Sequence, residues 1–144
     1  MAGSLPERHV VTCFLESDGL VLILRRSDLV GSFRGRWAGV SGYIETTADE
    51  QALVEIEEET GLCREDVELV KKGSPLSVEG EGVRWVVYPF LFRIKERDKI
   101  RIDWEHSDKR WIAPDEIDNY QTVPMLEGAL AKVLGEKKRG ETSL

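Results

Sequence analysis

Two short runs of apolar and β-branched residues open the chain and predict a β-hairpin. The runs cover residues 9–15 and 20–24, and the turn-forming residues 17–19 lie between them. The polar stretch over residues 27–36 contains two glycines and two arginines, which is typical of a loop. Residues 37–44 then resume a strand-like pattern. The first third of the chain therefore predicts three strands and one long loop.

The clearest helix pattern covers residues 48–60. Thr47 and Glu50 form a capping box, in which each side chain can satisfy a backbone N–H group that the helix start leaves free. Apolar residues such as Ile56 recur at helical spacing and predict a stripe that faces the core. Gly61 follows and supplies the left-handed backbone on which many helices end. We therefore expect a helix with a defined signal at each end.

The second half of the chain repeats the alternation of strand and helix patterns. Its segments are 67–70, 83–94 and 111–112 as strands, 114–116 as a helical turn, and 123–134 as a terminal helix that packs Met125, Leu126, Ala129, Leu130, Val133 and Leu134 on the sheet. Strands that interleave with helices predict a mixed β-sheet covered by helices, which is the α/β class. We expect one domain over residues 1–144, with frayed ends at 1–7 and 136–144.

The charge and the cysteine content narrow the range of functions. The 144 residues carry a formal net charge of −7, so the chain lacks the basic surface that non-specific nucleic-acid binding requires. An anionic ligand would need local positive charge or a metal ion to offset the negative electrostatic field of the protein. Cys13 and Cys63 are too few for a disulfide framework and are expected to be reduced thiols. With no signal-peptide pattern and no apolar segment long enough to span a bilayer, we expect a cytoplasmic protein without a membrane partner.

Three glutamates of the predicted helix carry the most distinctive chemistry. Glu55, Glu58 and Glu59 are three and four residues apart and therefore share one face. No lysine or arginine lies between Trp37 and Cys63, and the helix dipole disfavours negative charge near the helix C-terminus. A bound cation would offset both costs, and three carboxylates suit the oxygen preference of Mg²⁺ or Mn²⁺. The residues alone leave open a solvated acidic face or a surface for a partner.

The same segment resembles the end of the Nudix box, GX5EX7REUXEEXGU, in which U is a bulky aliphatic residue. The positions that match the pattern are Glu55, Ile56, Glu58, Glu59, Gly61 and Leu62. Residues 38–45 resemble the glycine-containing strand and loop before that box, and residues 110–116 resemble the late strand and turn of the family. The resemblance implies a Nudix-type α/β/α sandwich with a mixed β-sheet in a single domain.

Two departures from the box bear on activity. Val54 occupies the position of the family's arginine, and Thr46 and Thr47 stand where glycine and glutamate are usual. In the family, that arginine and that glutamate are understood to brace the loop against the helix. Glu45 is the only carboxylate left in the loop and is a candidate substitute. The resemblance therefore leaves two functions open: an active hydrolase, or a binding module for a nucleotide or a protein with little or no turnover.

For an active enzyme, the resemblance implies a divalent-metal-dependent pyrophosphohydrolase that cleaves a phosphoanhydride bond in a nucleotide-type substrate. The implied cofactor is Mg²⁺ or Mn²⁺, and the implied metal ligands are Glu55, Glu58, Glu59, the backbone carbonyl of Ser41, Glu45 and Glu105. One of them, Glu55 or Glu58, would serve as the general base instead of as a ligand. The residues expected to be structural are Gly42, Gly61 and Ile56. Nudix proteins are often dimers, so a homodimer is open, and the sequence does not identify the substrate.

Several residues outside the box are candidates for substrate contacts. Four arginines could bind phosphate oxygens or could be solvated loop side chains: Arg25, Arg26, Arg34 and Arg36. Four aromatic residues could stack on a base, although aromatic residues in such a sheet more often belong to the core: Trp37, Tyr43, Trp85 and Trp104. His106 could act as an acid or base, but an ordinary surface histidine is the favoured interpretation.

Overall fold

The computed structural model describes residues 4–134, which form a mixed β-sheet between two helices. The strands are β1 Glu7–Ser17, β2 Leu20–Arg26, β3 Trp37–Ala38, β4 Val40–Tyr43, β5 Val67–Lys72, β6 Leu76–Gly80, β7 Val83–Ile94 and β8 His106–Ile112. The helices are α1 Ala48–Thr60 and α2 Leu126–Leu134, and short 3₁₀ turns cover Arg64–Asp66, Arg97–Lys99 and Pro114–Asn119. The predicted α/β class is therefore confirmed.

The sheet is mixed because its two long strands run parallel while the other pairs are antiparallel. β1 pairs with β7 in parallel, from Glu7 opposite Arg84 onwards, and pairs antiparallel with β2 and with β4. β2 also pairs with β3 and β8, while β5 and β6 both pair with β7. Asp18 and Gly19, both with positive φ, connect β1 to β2 in the predicted hairpin.

Alternating side chains of β1 and β2 divide the core between the two faces of the sheet. On one face, buried residues of both strands pack against α1: Val11, Cys13, Leu15, Leu22, Leu24, Ala52 and Ile56. On the other face, the intervening residues pack against α2: Phe14, Val21, Ile23, Leu126, Ala129, Leu130 and Val133. Each helix covers one face, which confirms the predicted α/β/α sandwich.

Both ends of α1 have caps where the sequence predicts them. The Thr47 hydroxyl accepts a hydrogen bond from the Glu50 N–H at 3.2 Å. Gly61, with a φ of 79°, donates its N–H back to the last turn of the helix at 2.8 Å. The Glu50 carboxylate lies 3.4 Å from Arg64 rather than returning to Thr47, so only half of the predicted capping box forms. Ile56 is buried in the core, as its spacing predicts.

The strands differ from the predictions at three places. β6 has no counterpart among the predictions, and β8 begins at His106 rather than at Trp111. Both lie at edges of the sheet, where exposed polar residues replace the apolar runs that identify buried strands. The predicted strand over residues 37–44 divides into β3 and β4 at Gly39, where a Cβ atom would lie 2.8 Å from the Cys13 carbonyl oxygen.

The terminal helix is shorter than predicted. α2 begins at Leu126, and the preceding Met125 has a positive φ of 62° and is half exposed instead of packing on the sheet. Pro124 disfavours helical backbone in the residue before it, so the helix cannot begin at Val123. The apolar pattern over residues 123–134 therefore overestimates the helix by one turn at its start.

The cysteines, the helix lengths and the chain ends bear on three smaller predictions. Cys13 is a buried free thiol and Cys63 an exposed one, in line with the prediction of reduced cysteines. Neither helix within residues 4–134 is long and apolar enough to cross a membrane. Glu7 already belongs to β1 and is not frayed, while residues 1–3 and 136–144 of the predicted frayed ends lie outside the described residues.

Candidate active site

A cavity of about 310 Å³ opens beside the glutamate face of α1 and gathers most of the predicted site residues. The predicted site residues in its lining come from α1, β4 and the loop after it, the end of β2, and the loop before β8: Glu55, Glu58, Ser41, Gly42, Glu45, Arg26 and Glu105. These segments are distant in sequence, but α1 packs directly on β4 and β1, which brings them together. The remainder of the lining is mostly apolar and aromatic.

Glu59 lies behind this lining and is the most unusual side chain of the cluster. Its side chain is 1% exposed, and among residues 4–134 neither of its carboxylate oxygens has a hydrogen-bond partner. Burial, and then the adjacent Glu55 carboxyl and the charge of Glu105, raise the pKa of Glu59 to about 10. Burying a carboxyl without a partner is costly, because folding removes its water without replacement. Such a group binds a proton at neutral pH, or a cation where one is supplied.

Gln51 and Gly42 confine the neighbouring carboxylate of Glu55. The Gln51 amide Nε2 donates to Glu55 Oε2 at 2.9 Å, while Gln51 Oε1 accepts from the Glu45 backbone N–H at 3.0 Å. The Gly42 backbone lies so close to the Glu55 carboxyl that a Cβ atom there would overlap it. Burial raises the pKa of Glu55, the hydrogen bond from Gln51 opposes this shift, and the charges of Glu58 and Glu45 raise the pKa further. Glycine at position 42 therefore permits this close approach, and a larger side chain would displace the Glu55 carboxyl.

The carboxylates of the cluster fit a hard divalent cation. The candidate ligands offer oxygen atoms, which Mg²⁺ and Mn²⁺ prefer to sulfur. Among residues 4–134, no three His, Cys, Asp or Glu side chains are grouped closely enough to form a complete ligand set. Mg²⁺ commonly keeps several waters and binds one or two carboxylates together with substrate phosphates. The unpaired oxygens of Glu59 and the nearby carboxylates therefore suit an ion that keeps some of its water or that also binds a phosphate of the substrate.

His106 is buried, which corrects the prediction of an ordinary surface histidine. Its side chain is 1% exposed, with Nδ1 at 3.2 Å from Asp103 Oδ1 and Nε2 at 3.6 Å from Glu59 Oε1. The prediction is wrong because β8 begins at His106 and directs this side chain toward α1, whereas the next residue along the strand is exposed. Burial lowers the pKa of His106 against the raising effect of Asp103, so a neutral ring stands between two carboxyl groups at pH 7.

The candidate ligands outside the helix also reach the cavity. Glu105 lines it, and burial, followed by the charge of Asp103, raises the pKa of Glu105, while Arg26 has the opposite effect. Ser41 lies on β4, and Glu45 is exposed in the loop that follows. The fold thus brings these residues to the glutamates of α1, and their roles as metal ligands stay predictions.

Of the four arginines predicted to contact phosphate, Arg26 is the one that lines the cavity. Its half-buried guanidinium donates from Nε to the Ser32 carbonyl at 2.8 Å. Burial lowers the pKa of Arg26, but an arginine remains protonated at neutral pH. The other three donate to backbone carbonyls and do not line the cavity: Arg25 to Gly35, Arg34 to Val30, and Arg36 to Thr122. They hold surrounding loops in place, and their role in substrate binding stays a prediction.

Two of the four aromatic candidates reach the cavity. The rings of Tyr43 and Trp85 are nearly parallel, with centroids 6.3 Å apart and planes inclined by 14°, and Phe33 packs on Trp85 at 5.7 Å. All three line the cavity, which therefore has an aromatic wall beside the acidic one. Trp37 is instead buried in the core, and Trp104 is 61% exposed outside the lining.

Three residues take part in the site without having been predicted. Gln51 could have been found, because it lies four residues before Glu55 and residues at that spacing are neighbours on a helix. Phe33 and Asp103 lie in irregular segments, where no spacing in the sequence separates them from their neighbours. Only tertiary packing brings Phe33 to the cavity wall and Asp103 to the side chain of His106.

Comparisons with known proteins point to one family. A family model described as the NUDIX domain matches residues 6–133. Among solved structures, a MutT protein from Methanosarcina mazei Go1 is 18% identical, with 98% of this chain and 99% of that chain covered and a TM-score of 0.77. A C. elegans Ap4A hydrolase in a binary complex is 15% identical, with 97% of this chain and 100% of that chain covered and a TM-score of 0.72. No curated protein matches the chain.

Proposed function

Because the NUDIX model matches residues 6–133, this chain belongs to the Nudix family, and we propose its reaction from that premise. We propose a divalent-metal-dependent pyrophosphohydrolase that cleaves a phosphoanhydride bond in a nucleotide-type substrate. The observation that carries the proposal is the pair of Glu55, confined at the cavity wall, and Glu59, buried beside it without a hydrogen-bond partner among residues 4–134. A surface that only binds a partner would not require a buried carboxyl that costs stability.

The residues that would hold Mg²⁺ or Mn²⁺ are Glu58, Glu59 and Glu105, with the Ser41 carbonyl, Glu45 and, where it does not serve as the base, Glu55 as further candidates. When bound, such an ion neutralises phosphate charge and lowers the pKa of a coordinated water. Glu59 must release its proton to act as a ligand, because the ligand is the carboxylate and not the acid. The raised pKa of Glu59 therefore couples ion binding to proton release.

The geometry supports Glu55 over Glu58 as the general base. Burial raises the pKa of Glu55, which brings its proton affinity closer to neutral pH, where a general base is most effective. Gln51 donates to its Oε2 atom, so the carboxylate is held in one orientation. Glu58 is exposed on the same helix face and lines the cavity, which suits a ligand for an ion that keeps some of its water.

Arg26 and the aromatic wall support a nucleotide-type substrate. The guanidinium of Arg26 offers charge-assisted donors to a phosphate, in a field that is otherwise negative. Trp85 and its aromatic neighbours offer a flat surface, and a base stacked on such a surface contributes about 1–3 kcal/mol. The cavity of about 310 Å³ is at the small end of the roughly 300–1,000 Å³ of ligand sites. We infer that it takes one nucleoside unit, with the phosphates directed to α1.

A substrate panel with Mg²⁺ or Mn²⁺ tests this proposal. The protein is incubated with nucleoside triphosphates, nucleoside diphosphate derivatives and dinucleoside polyphosphates, and the products are identified by chromatography. We expect metal-dependent cleavage of a phosphoanhydride bond in the wild type. In Glu58→Gln, kcat should fall by about 100-fold or more, because a charged metal ligand becomes a neutral amide.

Glu57→Gln is the matched control for this substitution. Glu57 is exposed on the same turn of α1 and does not line the cavity, so the variant removes the same charge without touching the site. It should retain wild-type turnover, and both variants should keep the wild-type circular dichroism spectrum. Unchanged hydrolysis in Glu58→Gln would refute the assignment. Stabilisation by a nucleotide without any product would favour a binding module instead.

A further inference from the structure

The loop between β4 and α1 lacks the bracing pair that the Nudix box usually supplies. Val54 replaces the arginine and is 42% exposed, and Thr46 and Thr47 replace the glycine and the glutamate. Another contact must tie this loop to α1 if Glu55 is to keep one orientation. We propose that Gln51 is the positioning residue that does so. This inference rests on the proposed function, in which Glu55 acts at the cavity wall.

Gln51 lies one helical turn before Glu55 on α1, and it is 6% exposed. Its side-chain amide forms a hydrogen bond with one residue earlier in the chain and with one residue later in the chain: Oε1 accepts from the Glu45 N–H, and Nε2 donates to Glu55 Oε2. The chemistry of the partners fixes the orientation of the amide, since a backbone N–H can only donate and an ionised carboxylate can only accept. A single buried side chain therefore links the loop backbone to the carboxylate of the proposed base.

Glutamine is the side chain that can make both of these bonds at this reach. Glutamate would keep the acceptor for the Glu45 N–H but would place a second carboxylate against Glu55. Lysine and arginine could pair with Glu55 but have no acceptor for the N–H group. Leucine has a similar volume and offers neither bond. The position therefore selects for hydrogen-bonding chemistry, and not only for packing.

The strand that leads into this loop carries two other predicted site residues. Ser41 and Gly42 lie on β4, and the Gly42 backbone contacts the same Glu55 carboxyl. Two elements thus confine one carboxylate, α1 through Gln51 and β4 through Gly42. Loss of Gln51 would free Glu55 to rotate and would leave the Glu45 N–H without this partner.

The test compares Gln51→Leu and Gln51→Glu with Thr47→Ala. We expect Gln51→Leu to lower kcat by about 10- to 100-fold with a smaller change in KM, because the lost contact orients a group that acts in the transition state. Mn²⁺ binding, followed by electron paramagnetic resonance, should weaken by about tenfold. Gln51→Glu retains the bond to the loop, so it protects the fold, yet it should lose a comparable share of kcat.

Thr47→Ala is the control for helix stability. It removes the N-cap of the same helix without touching Glu55, and should keep wild-type kcat and Mn²⁺ affinity. Wild-type kcat and Mn²⁺ affinity in Gln51→Leu would overturn the inference and leave the proposed function standing. Equal losses in Thr47→Ala and Gln51→Leu would also overturn it, since helix stability would then explain both. If the wild type shows no turnover, the proposed function fails, and the Mn²⁺ titration of Gln51→Leu still decides whether Gln51 positions the site.

Discussion

Replacing Glu59 with glutamine should raise the free energy of unfolding at neutral pH when divalent ions are removed with EDTA. Folding raises the pKa of Glu59 from an ordinary value of 4.5 to about 10, with burial as the main cause. At pH 7 the folded protein must therefore take up a proton that the unfolded chain does not hold. Glutamine has nearly the shape of the protonated acid and needs no proton, so the variant avoids this cost.

The sign and the size of the effect follow from proton linkage. For an acid whose pKa is raised by folding, the stabilising contribution is complete below pH 4.5 and is lost as the pH rises toward 10. Each pH unit within this window costs about 1.36 kcal/mol. Between pH 5 and pH 8, the wild type should therefore lose about 4 kcal/mol of stability relative to Glu59→Gln.

Urea unfolding in EDTA at pH 5, 6, 7 and 8 measures this difference. Glu57→Gln, which removes an exposed carboxylate of the same helix, should show no comparable gain. Added Mg²⁺ or Mn²⁺ should stabilise the wild type more than Glu59→Gln, because an ion that binds the folded state alone adds to its stability. Stability curves of the wild type and Glu59→Gln that run parallel from pH 5 to pH 8 would refute the reasoning.

Two further substitutions separate the geometry of the site from the stability of the fold. Gly42→Ala should lower kcat about tenfold or more in steady-state assays, while urea unfolding shows a change below about 1 kcal/mol, because the added methyl displaces only the flexible end of Glu55. His106→Asn should weaken Mn²⁺ binding about 10- to 100-fold in a paramagnetic resonance titration, because the ring beside the Glu59 carboxyl is lost. Wild-type kcat in the first variant, or wild-type Mn²⁺ affinity in the second, would contradict these expectations.

The parts of the fold that the sequence predicts well depend on local signals. α1 is bounded by Thr47 and Gly61, which act within one turn of the helix ends, and the β1–β2 hairpin depends on Asp18 and Gly19. β6 and the first half of β8 depend instead on pairing with distant strands, and their own residues are too polar to mark them as strands. Their positions therefore follow from tertiary contacts that a local pattern does not contain.

The same distinction between local signals and tertiary contacts applies to the residues of the site. Helical spacing is enough to place Glu55, Glu58 and Glu59 on one face, but it does not predict that Glu58 is exposed while Glu59 is buried. That difference depends on tertiary packing. The sheet and the loop before β8 cover one side of this helix face and leave the other side open. The burial of His106 has the same origin, because it follows from the residue at which β8 begins pairing with β2.

The parallel pairing of β1 with β7 also affects how the chain is made. β1 ends at Ser17, but β7, which pairs with one edge of β1, begins only at Val83. During synthesis, the backbone groups along that edge of β1 therefore stay unpaired until β7 has been made. Contacts between residues so distant in sequence form slowly, because a long loop must close first. A nascent or truncated chain without β7 is consequently open to aggregation along an edge that the finished protein covers.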